Sequence, residues 1–226
     1  DTYTADTTVA KGHSYTSEVT EATCTTDGCV TYTCSACGDS YKTDETPAIG
    51  HVYSEWTLSN PSEPTDTDTY VKKCKCGDTK TMTNVPKASS DLAMDYSAEL
   101  GGYVVTGIGK CTDTDLVIPA THEGKPVVAI AEQAFVWDGT ITSLTIIGGV
   151  KTIGNGAFFY CGQISKIVIS DSVKYLGEWA LATYSYPNLY YTGTEEQWQE
   201  VEKVDDFKYN GNLYITSVTC NYVYGE

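Results

Sequence analysis

The chain has 226 residues and a formal net charge of −16, from 14 Lys and Arg against 30 Asp and Glu. A surface this acidic repels phosphate backbones and anionic lipid head groups, which argues against nucleic acid and membrane-surface partners. No apolar run approaches the roughly 18–20 residues of a spanning helix, and no basic-then-apolar leader is seen, so any signal peptide is expected upstream or removed.

The N-terminal part is modular. DTYTADTTVAKGH at residues 1–13 returns as DSYKTDETPAIGH at 39–51, with seven of thirteen positions identical, among them Gly12-His13 and Gly50-His51. The same period of 38 pairs Tyr15 with Tyr53 and Tyr32 with Tyr70. CGDTKTMTNVPK, from Cys76, opens a third copy that fades without a Gly-His. Residue 1 stands where a Cys-Gly should precede it, so the chain is expected to start inside a repeat of a longer array. Residues 1–87 are read as an array of small, mostly β, Cys-containing modules, and 88–226 as a second domain.

Six of the nine cysteines lie in these modules: Cys24, Cys29, Cys34, Cys37, Cys74 and Cys76. An odd total excludes complete internal pairing. In the first module His13, Cys24, Cys34 and Cys37 suit a zinc knuckle, because Cys-x2-Cys followed by Gly aims two thiolates at one ion. A module with so few large apolar groups needs some cross-link. Each His is expected to serve the cysteines that follow it. The second module keeps His51 and a contracted Cys74-x-Cys76, an incomplete set. It has Ser62 and Thr67 where the first has Cys24 and Cys29. Their joint loss is what a Cys24–Cys29 disulfide would produce, so zinc, disulfide and free thiols all stay open.

Farther along, DLAMDYSAELGGYVVTGIG from Asp91 alternates apolar and polar residues around Gly101-Gly102, the pattern of a hairpin capping the next region. A period of 23 then takes over. SLTIIGGVKTIGNGAFFYC from Ser143 and KIVISDSVKYLGEWALA from Lys166 align Leu144 with Ile167, Ile146 with Ile169, Val150 with Val173 and Ala157-Phe158 with Ala180-Leu181. Val127, Ile130 and Ala134-Phe135 stand one period earlier, and DLVIP is set back by the insertion ATHEGK. A fixed period of this length with an L-x-I core is a solenoid signature: L-x-I forms a strand, V-x-x-I-G turns the corner, and Ala-Phe fills the coil from the other side. Three coils are recognisable. TEEQWQEVEKV is expected to be a closing helix, with Thr194 and Gln197 at capping-box spacing and Trp198, Val201 and Val204 facing inward. NLYITSVTCNYVYG then reads as strand.

These segments resemble the BspA-like leucine-rich repeat family of bacterial surface proteins: GIGKCTDTDLVIPATHEGKPVVAI its first coil, VKTIGNGAFFYC its core unit, YYTGTEEQWQEV a closing segment. Ile147 departs from the Pro usual there, and Leu181 from Phe. The expected fold is an α/β solenoid, a short capped leucine-rich-repeat stack with parallel strands, preceded by the small modules. The resemblance implies an exported or wall-associated, non-catalytic protein that binds host or microbial surface proteins or glycans.

Enzyme readings find little support. His122 is the only histidine in the larger domain, and neither Cys111 nor Cys161 has a nucleophile signature nearby. Cys161 follows Phe158 where solenoids bury a small apolar residue. Glu195-Glu196 fit helix-start electrostatics and Asp205-Asp206 a solvated turn. For binding, TYSYPNLYY offers Tyr184, Tyr186, Tyr190 and Tyr191, which can stack on sugars, anchor a protein contact or pack the junction with the C-terminal cap. The reading is an adhesion or ligand-binding monomer, with a stalk or an accessory region of a larger secreted enzyme as alternatives, and no cofactor, structural zinc in the first module being one of the readings left open.

Overall fold

The computed structural model describes residues 12–59, 67–204, 208–209, 212–213 and 216–224. They divide into two compact units, the first made of 12–53 with 73–78, the second of the remainder. The turn expected at Asp205-Asp206 lies outside the described residues.

Unit 1 is built on an antiparallel sheet of β1 (Tyr15–Thr20), β2 (Gly28–Cys34) and β3 (Ser40–Thr46), in that order. Thr, Val and Tyr favour these strands, and TTDG and SACGD supply the turns. The register sets Tyr15 opposite Cys34 and Tyr32 opposite Tyr41. Almost every side chain is exposed or half-buried; the buried described residues of this unit are Gly28, Cys34 and Cys74.

Unit 2 opens with a small sheet of β4 (Thr57–Leu58), β5 (Thr67–Lys73) and β6 (Thr79–Pro86). An antiparallel hairpin follows, β7 (Ala93–Ser97) and β8 (Gly102–Gly107), turning at Gly101 with φ +69°. The solenoid comprises β9 (Asp115–Ile118), β10 (Thr121–His122), β11 (Lys125–Ile130), β12 (Ser143–Ile146), β13 (Thr152–Ile153), β14 (Lys166–Ile169), β15 (Tyr175–Leu176) and β16 (Asn188–Tyr191). It closes with α1 (Glu195–Glu200), β17 (Glu202–Lys203), the pair β18 (Lys208–Tyr209) and β19 (Asn212–Leu213), and β20 (Ser217–Thr219).

Two parallel ladders run along the coils, β9-β12-β14-β16-β20 and β8-β11-β13-β15-β17, with β7 antiparallel at the edge of the second. In the first, Leu116, Leu144, Ile167 and Leu189 share one line and Ile118, Ile146, Ile169 and Tyr191 the next. All eight are fully buried, so each coil covers the apolar face of its neighbour. This ladder has five rungs, more than the three coils recognisable in the sequence. The V-x-x-I corner is itself a short rung of the second ladder, with Ile130, Ile153 and Leu176 in register.

The third side of each coil carries Ala-Phe, and here the α/β expectation gives way to a β-solenoid. Among the described residues α1 is the one α-helix. Backbone bonds on this side run between coils: Phe135 N–H donates to Ala157 O at 2.8 Å and Phe158 N–H to Ala180 O at 2.9 Å. Positive φ at Gln133 (56°), Trp137 (64°), Tyr160 (62°) and Trp179 (56°) prevents a helix from propagating. The side chains still fill the coil, Phe135 stacking on Phe158 at 4.9 Å.

The outer face of the first ladder is also buried. Val117, Val168 and Ile147 pack against Trp56, Tyr70, Val85 and Tyr224. Gly148 is required there, because a Cβ would lie 2.7 Å from the Trp56 ring. Lys72 Nζ donates to Asp171 at 2.6 Å and Trp56 Nε1 to the other carboxylate oxygen at 3.3 Å. Burial of Asp171 pushes its carboxyl up, but the Lys72 ammonium more than offsets this, leaving it below its ordinary value.

The capping box forms in both directions, Gln197 N–H to Thr194 Oγ1 at 3.2 Å and Thr194 N–H to Gln197 Oε1 at 3.0 Å. The helix is shorter than expected. Val201 takes an extended backbone, and Glu202–Lys203 pairs with β15 as another rung. Trp198 and Val201 are buried, whereas Val204 is 51% exposed and faces solvent.

Candidate functional site

The four tyrosines singled out in TYSYPNLYY do not form one patch. Tyr191 is a core rung, fully buried against Trp198 at 5.2 Å, and burial pushes its phenol up to about 12. Tyr190 lies on the outer face of β16, its ring 4.9 Å from Tyr222 and under the Lys166 ammonium. Tyr184 and Tyr186 are exposed, at 42% and 47%, both with positive φ.

Tyr184 belongs to a larger aromatic column on the Ala-Phe side. Trp137 stacks on Tyr160 with centroids 3.9 Å apart and planes at 6°, and Tyr160 stacks on Tyr184 at 4.5 Å and 13°. Beside it Phe159 stacks on Trp179 at 5.2 Å and 17°. Coil-to-coil bonds set this alignment: Trp137 N–H donates to Phe159 O at 2.9 Å and Tyr160 N–H to Ala182 O at 3.1 Å. Trp137 is 67% exposed and Trp179 42%, so large apolar rings meet solvent along this column. Exposed Glu132 and Glu178 sit at equivalent places one residue before Gln133 and Trp179. Trp137, Tyr160, Phe159 and Trp179 were not singled out from the sequence. For Trp137 and Tyr160 the signal was an aromatic two positions after the Phe of Ala-Phe, in AFVWD and AFFYC.

The cysteine and histidine residues of unit 1 gather into two groups. His13, Cys34 and Cys37 form one, with their ligand atoms within 4.8 Å of one another. Cys24 is not part of it. It joins His51, Cys74 and Cys76, whose ligand atoms converge within the same limit. The expected set of His13, Cys24, Cys34 and Cys37 is corrected accordingly. The reason lies in the backbone. Ile49 N–H donates to Thr23 O at 3.0 Å and Ala48 N–H to the Asp27 carboxylate at 2.7 Å, which lays Gly50-His51 beside the Cys24 turn. Cys24 and Cys29 are both free thiols here. Cys24 Sγ lies 3.6 Å from Cys74 Sγ, and Cys29 Sγ 3.8 Å from Thr31 Oγ1.

The two groups share one frame. Cys34 N–H donates to Asp39 O and Cys74 N–H to Asp78 O, each at 2.8 Å. Gly38 and Gly77 turn the knuckles with φ +76° and +94°. His13 Nδ1 lies 3.2 Å from Cys37 Sγ, as His51 Nδ1 does from Cys76 Sγ. Tyr15 donates to Asp39 at 2.6 Å and Tyr53 to Asp78 in the same way. Backbone N–H of Ala36, with His13 behind it, pulls the Cys34 thiol down to about 6; Cys76 N–H and His51 do the same for Cys74. Hydrogen bonding to Cys76 and Cys74 pushes Cys24 up to about 12. One thiol of each knuckle is therefore favoured toward the thiolate, the form that binds metals.

The remaining candidates pack. Cys161 is fully buried, donates to Phe135 O at 2.9 Å and is pushed up to about 12 by burial, so it stays a thiol. His122 packs edge-on against Tyr103 at 4.7 Å. Glu195 and Glu196 sit in the first turn of α1. No helix among the described residues is long and apolar enough to cross a membrane.

Residues 123–221 match the BspA type leucine rich repeat region in six copies. A leucine-rich repeat protein from Bacteroides capillosus, solved by crystallography, aligns over 59% of this chain and 99% of its own length, with 23% identity and a TM-score of 0.47. A leucine-rich repeat protein of T. pallidum aligns over 60% of this chain and 82% of its own, with 15% identity and a TM-score of 0.31. No curated protein matches.

Proposed function

From the premise that residues 123–221 are a BspA-type leucine-rich-repeat region, we propose that the chain is a non-catalytic binding module of an exported bacterial surface protein. Its partner is another protein, held on the aromatic column. The observation that carries this is the ordered stack of Trp137, Tyr160 and Tyr184, whose two end rings are exposed. Stacked rings lose little conformational freedom on binding, and Trp and Tyr dominate the residues that anchor protein interfaces.

The stacking also bears on the class of partner. A sugar ring binds by lying on an aromatic face, but both faces of Tyr160 are taken by Trp137 and Tyr184. What Tyr160 presents instead is its ring edge, suited to apolar side chains. A net charge of −16 favours a basic partner surface. Positive φ at Trp137, Tyr160, Trp179 and Tyr184 adds to this reading, since such conformations in large residues cost about 1 kcal/mol or more each and gather at binding sites.

The test is an array of host matrix proteins, mucins, bacterial surface proteins and free glycans, probed with the chain and with a Trp137→Ala, Tyr160→Ala double variant. Retention on a protein, weakened at least about tenfold in the variant, is expected for a central aromatic anchor. Retention on free glycans alone, or equal retention by the variant, overturns the reading. Binding to nothing on the array favours a stalk.

A further inference from the structure

We propose that Cys24, His51, Cys74 and Cys76 hold one zinc ion, shared between two sequence repeats, and that this ion takes the place of a hydrophobic core in unit 1. Each repeat contributes what the other lacks. The second has a histidine and a two-cysteine knuckle, and the first supplies the fourth ligand from the turn before β2.

The distances are close to those of a closed four-ligand site. Zinc bound at about 2.3 Å to sulfur and about 2.0 Å to nitrogen sets its ligand atoms roughly 3.5–3.8 Å apart. Here Cys24 Sγ and Cys74 Sγ are 3.6 Å apart, Cys76 Sγ and His51 Nδ1 are 3.2 Å apart, and all four atoms lie within 4.8 Å of one another. A disulfide would need the two sulfurs at about 2.05 Å. Three thiolates and an imidazole form a set that structural zinc takes. An iron–sulfur cluster asks for four cysteines, and calcium or magnesium for oxygen ligands.

The second observation concerns what else could hold unit 1 together. Neither apolar cluster of the molecule includes a residue from 12–53 or 73–78. Its buried described residues are Gly28 and two knuckle cysteines, Cys34 and Cys74. A three-stranded sheet with both faces in water is not stable alone. A ligand set spanning Cys24 to Cys76 closes the loops that the sheet leaves open, and metal binding then becomes folding free energy. The carbonyl of Thr23, one residue before Cys24, accepts from Ile49 N–H, two residues before His51, so in the folded unit the backbone sets Cys24 and His51 on adjoining segments.

The other group, His13, Cys34 and Cys37, has three ligands among the described residues. It shares the knuckle frame but lacks a fourth ligand among those residues, so any ion there is held more weakly.

The test counts zinc in the full chain purified without chelator, before and after competition with a chromogenic chelator. One equivalent is expected to survive competition. Cys24→Ser and His51→Asn should each lose that equivalent, their combination should lose no more, and His13→Asn should keep it. Cys24→His preserves a ligand atom and should retain zinc where Cys24→Ser does not, which separates ligation from misfolding. Cobalt substitution of the wild-type chain should give the intense tetrahedral bands and thiolate charge transfer of a three-sulfur site. The proposal fails if the wild type retains no zinc or if Cys24→Ser keeps its equivalent. It also fails if Cys24→Ser and His13→Asn lose the same one, or if peptide mapping finds a Cys24–Cys74 disulfide.

Discussion

The solenoid and unit 1 are both made of repeats, yet they meet the cost of ordering a chain differently. In the solenoid, Leu116, Leu144, Ile167 and Leu189 line up on successive rungs and none is accessible to solvent. In unit 1 the repeated residues are polar or exposed, and what recurs is a histidine, a two-cysteine knuckle and a Tyr–Asp pair. The common feature is incompleteness. A coil lacks a cover for its apolar face, and a knuckle lacks its fourth ligand. The coil's cover is supplied by its neighbour through area, and under the zinc proposal the second knuckle's fourth ligand is supplied by the first repeat through coordination.

That contrast is broken most directly by stripping metal. Chelation is expected to remove hydrogen-exchange protection from β1, β2 and β3 while the solenoid amides stay protected. Structural zinc contributes on the order of 10–16 kcal/mol in small domains, more than so small a sheet can replace. Protection of β2 that persists in metal-free protein would show that unit 1 has another source of stability. The reciprocal change is Phe158→Ala. Its ring is fully buried and stacked on Phe135, and its removal is expected to lower solenoid stability by about 3–5 kcal/mol in urea unfolding, with zinc retention unaltered.

How far the sequence could be read follows the same division. Leu144 and Ile167, or Ile146 and Ile169, repeat with their chemistry unchanged, so their register was legible from the period. The rung at β16 was hidden because Tyr190-Tyr191 stands where Val-Ile stood before, and because Ile169 pairs with Tyr191 at a spacing one short of 23. The second ladder escaped notice because β13 and β15 have two residues each, too few to show alternation. The cover over Val117 and Val168 had a faint signal: the strands read as continuous apolar runs, which implies burial on both faces, but nothing local names Trp56 as the partner. The cysteines and histidines of unit 1 were legible as candidate ligands by type, but not how they group. Spacing joined Cys24 to its own knuckle, whereas hydrogen bonds from Ala48 and Ile49 assign it to the next.

A middle-sized effect is expected at Lys72, where a charged contact reinforces apolar packing. The Lys72 and Asp171 side chains are 10% and 16% exposed, so Lys72→Ala leaves a nearly buried carboxylate without its cation. The expected loss is about 3 kcal/mol. The sign with pH is diagnostic. In the wild type the Asp171 carboxyl is lowered from 3.8, so its contribution is present above that value and is lost as pH falls through the folded pKa. In Lys72→Ala the largest lowering influence on the carboxyl is gone and burial still opposes ionisation, so acidification should weaken the variant less than the wild type. Parallel pH–stability curves for the two proteins would remove the ion pair from the account of this contact.

The smallest change separates the two kinds of tyrosine that the sequence presented together. The Tyr191 hydroxyl is buried, and among the described residues nothing hydrogen-bonds it, whereas Tyr184 is 42% exposed. An unsatisfied buried hydroxyl retains its desolvation cost, so Tyr191→Phe keeps the packing against Trp198 and is expected to stabilise the solenoid by about 1 kcal/mol. Tyr184→Phe removes a hydroxyl from an exposed ring and should shift stability by less than about 0.5 kcal/mol. Urea midpoints at unchanged slope measure both. A destabilised Tyr191→Phe would mean that its hydroxyl has a partner in the fold, placing it among the polar contacts of the C-terminal cap instead of the apolar line it continues from Ile169.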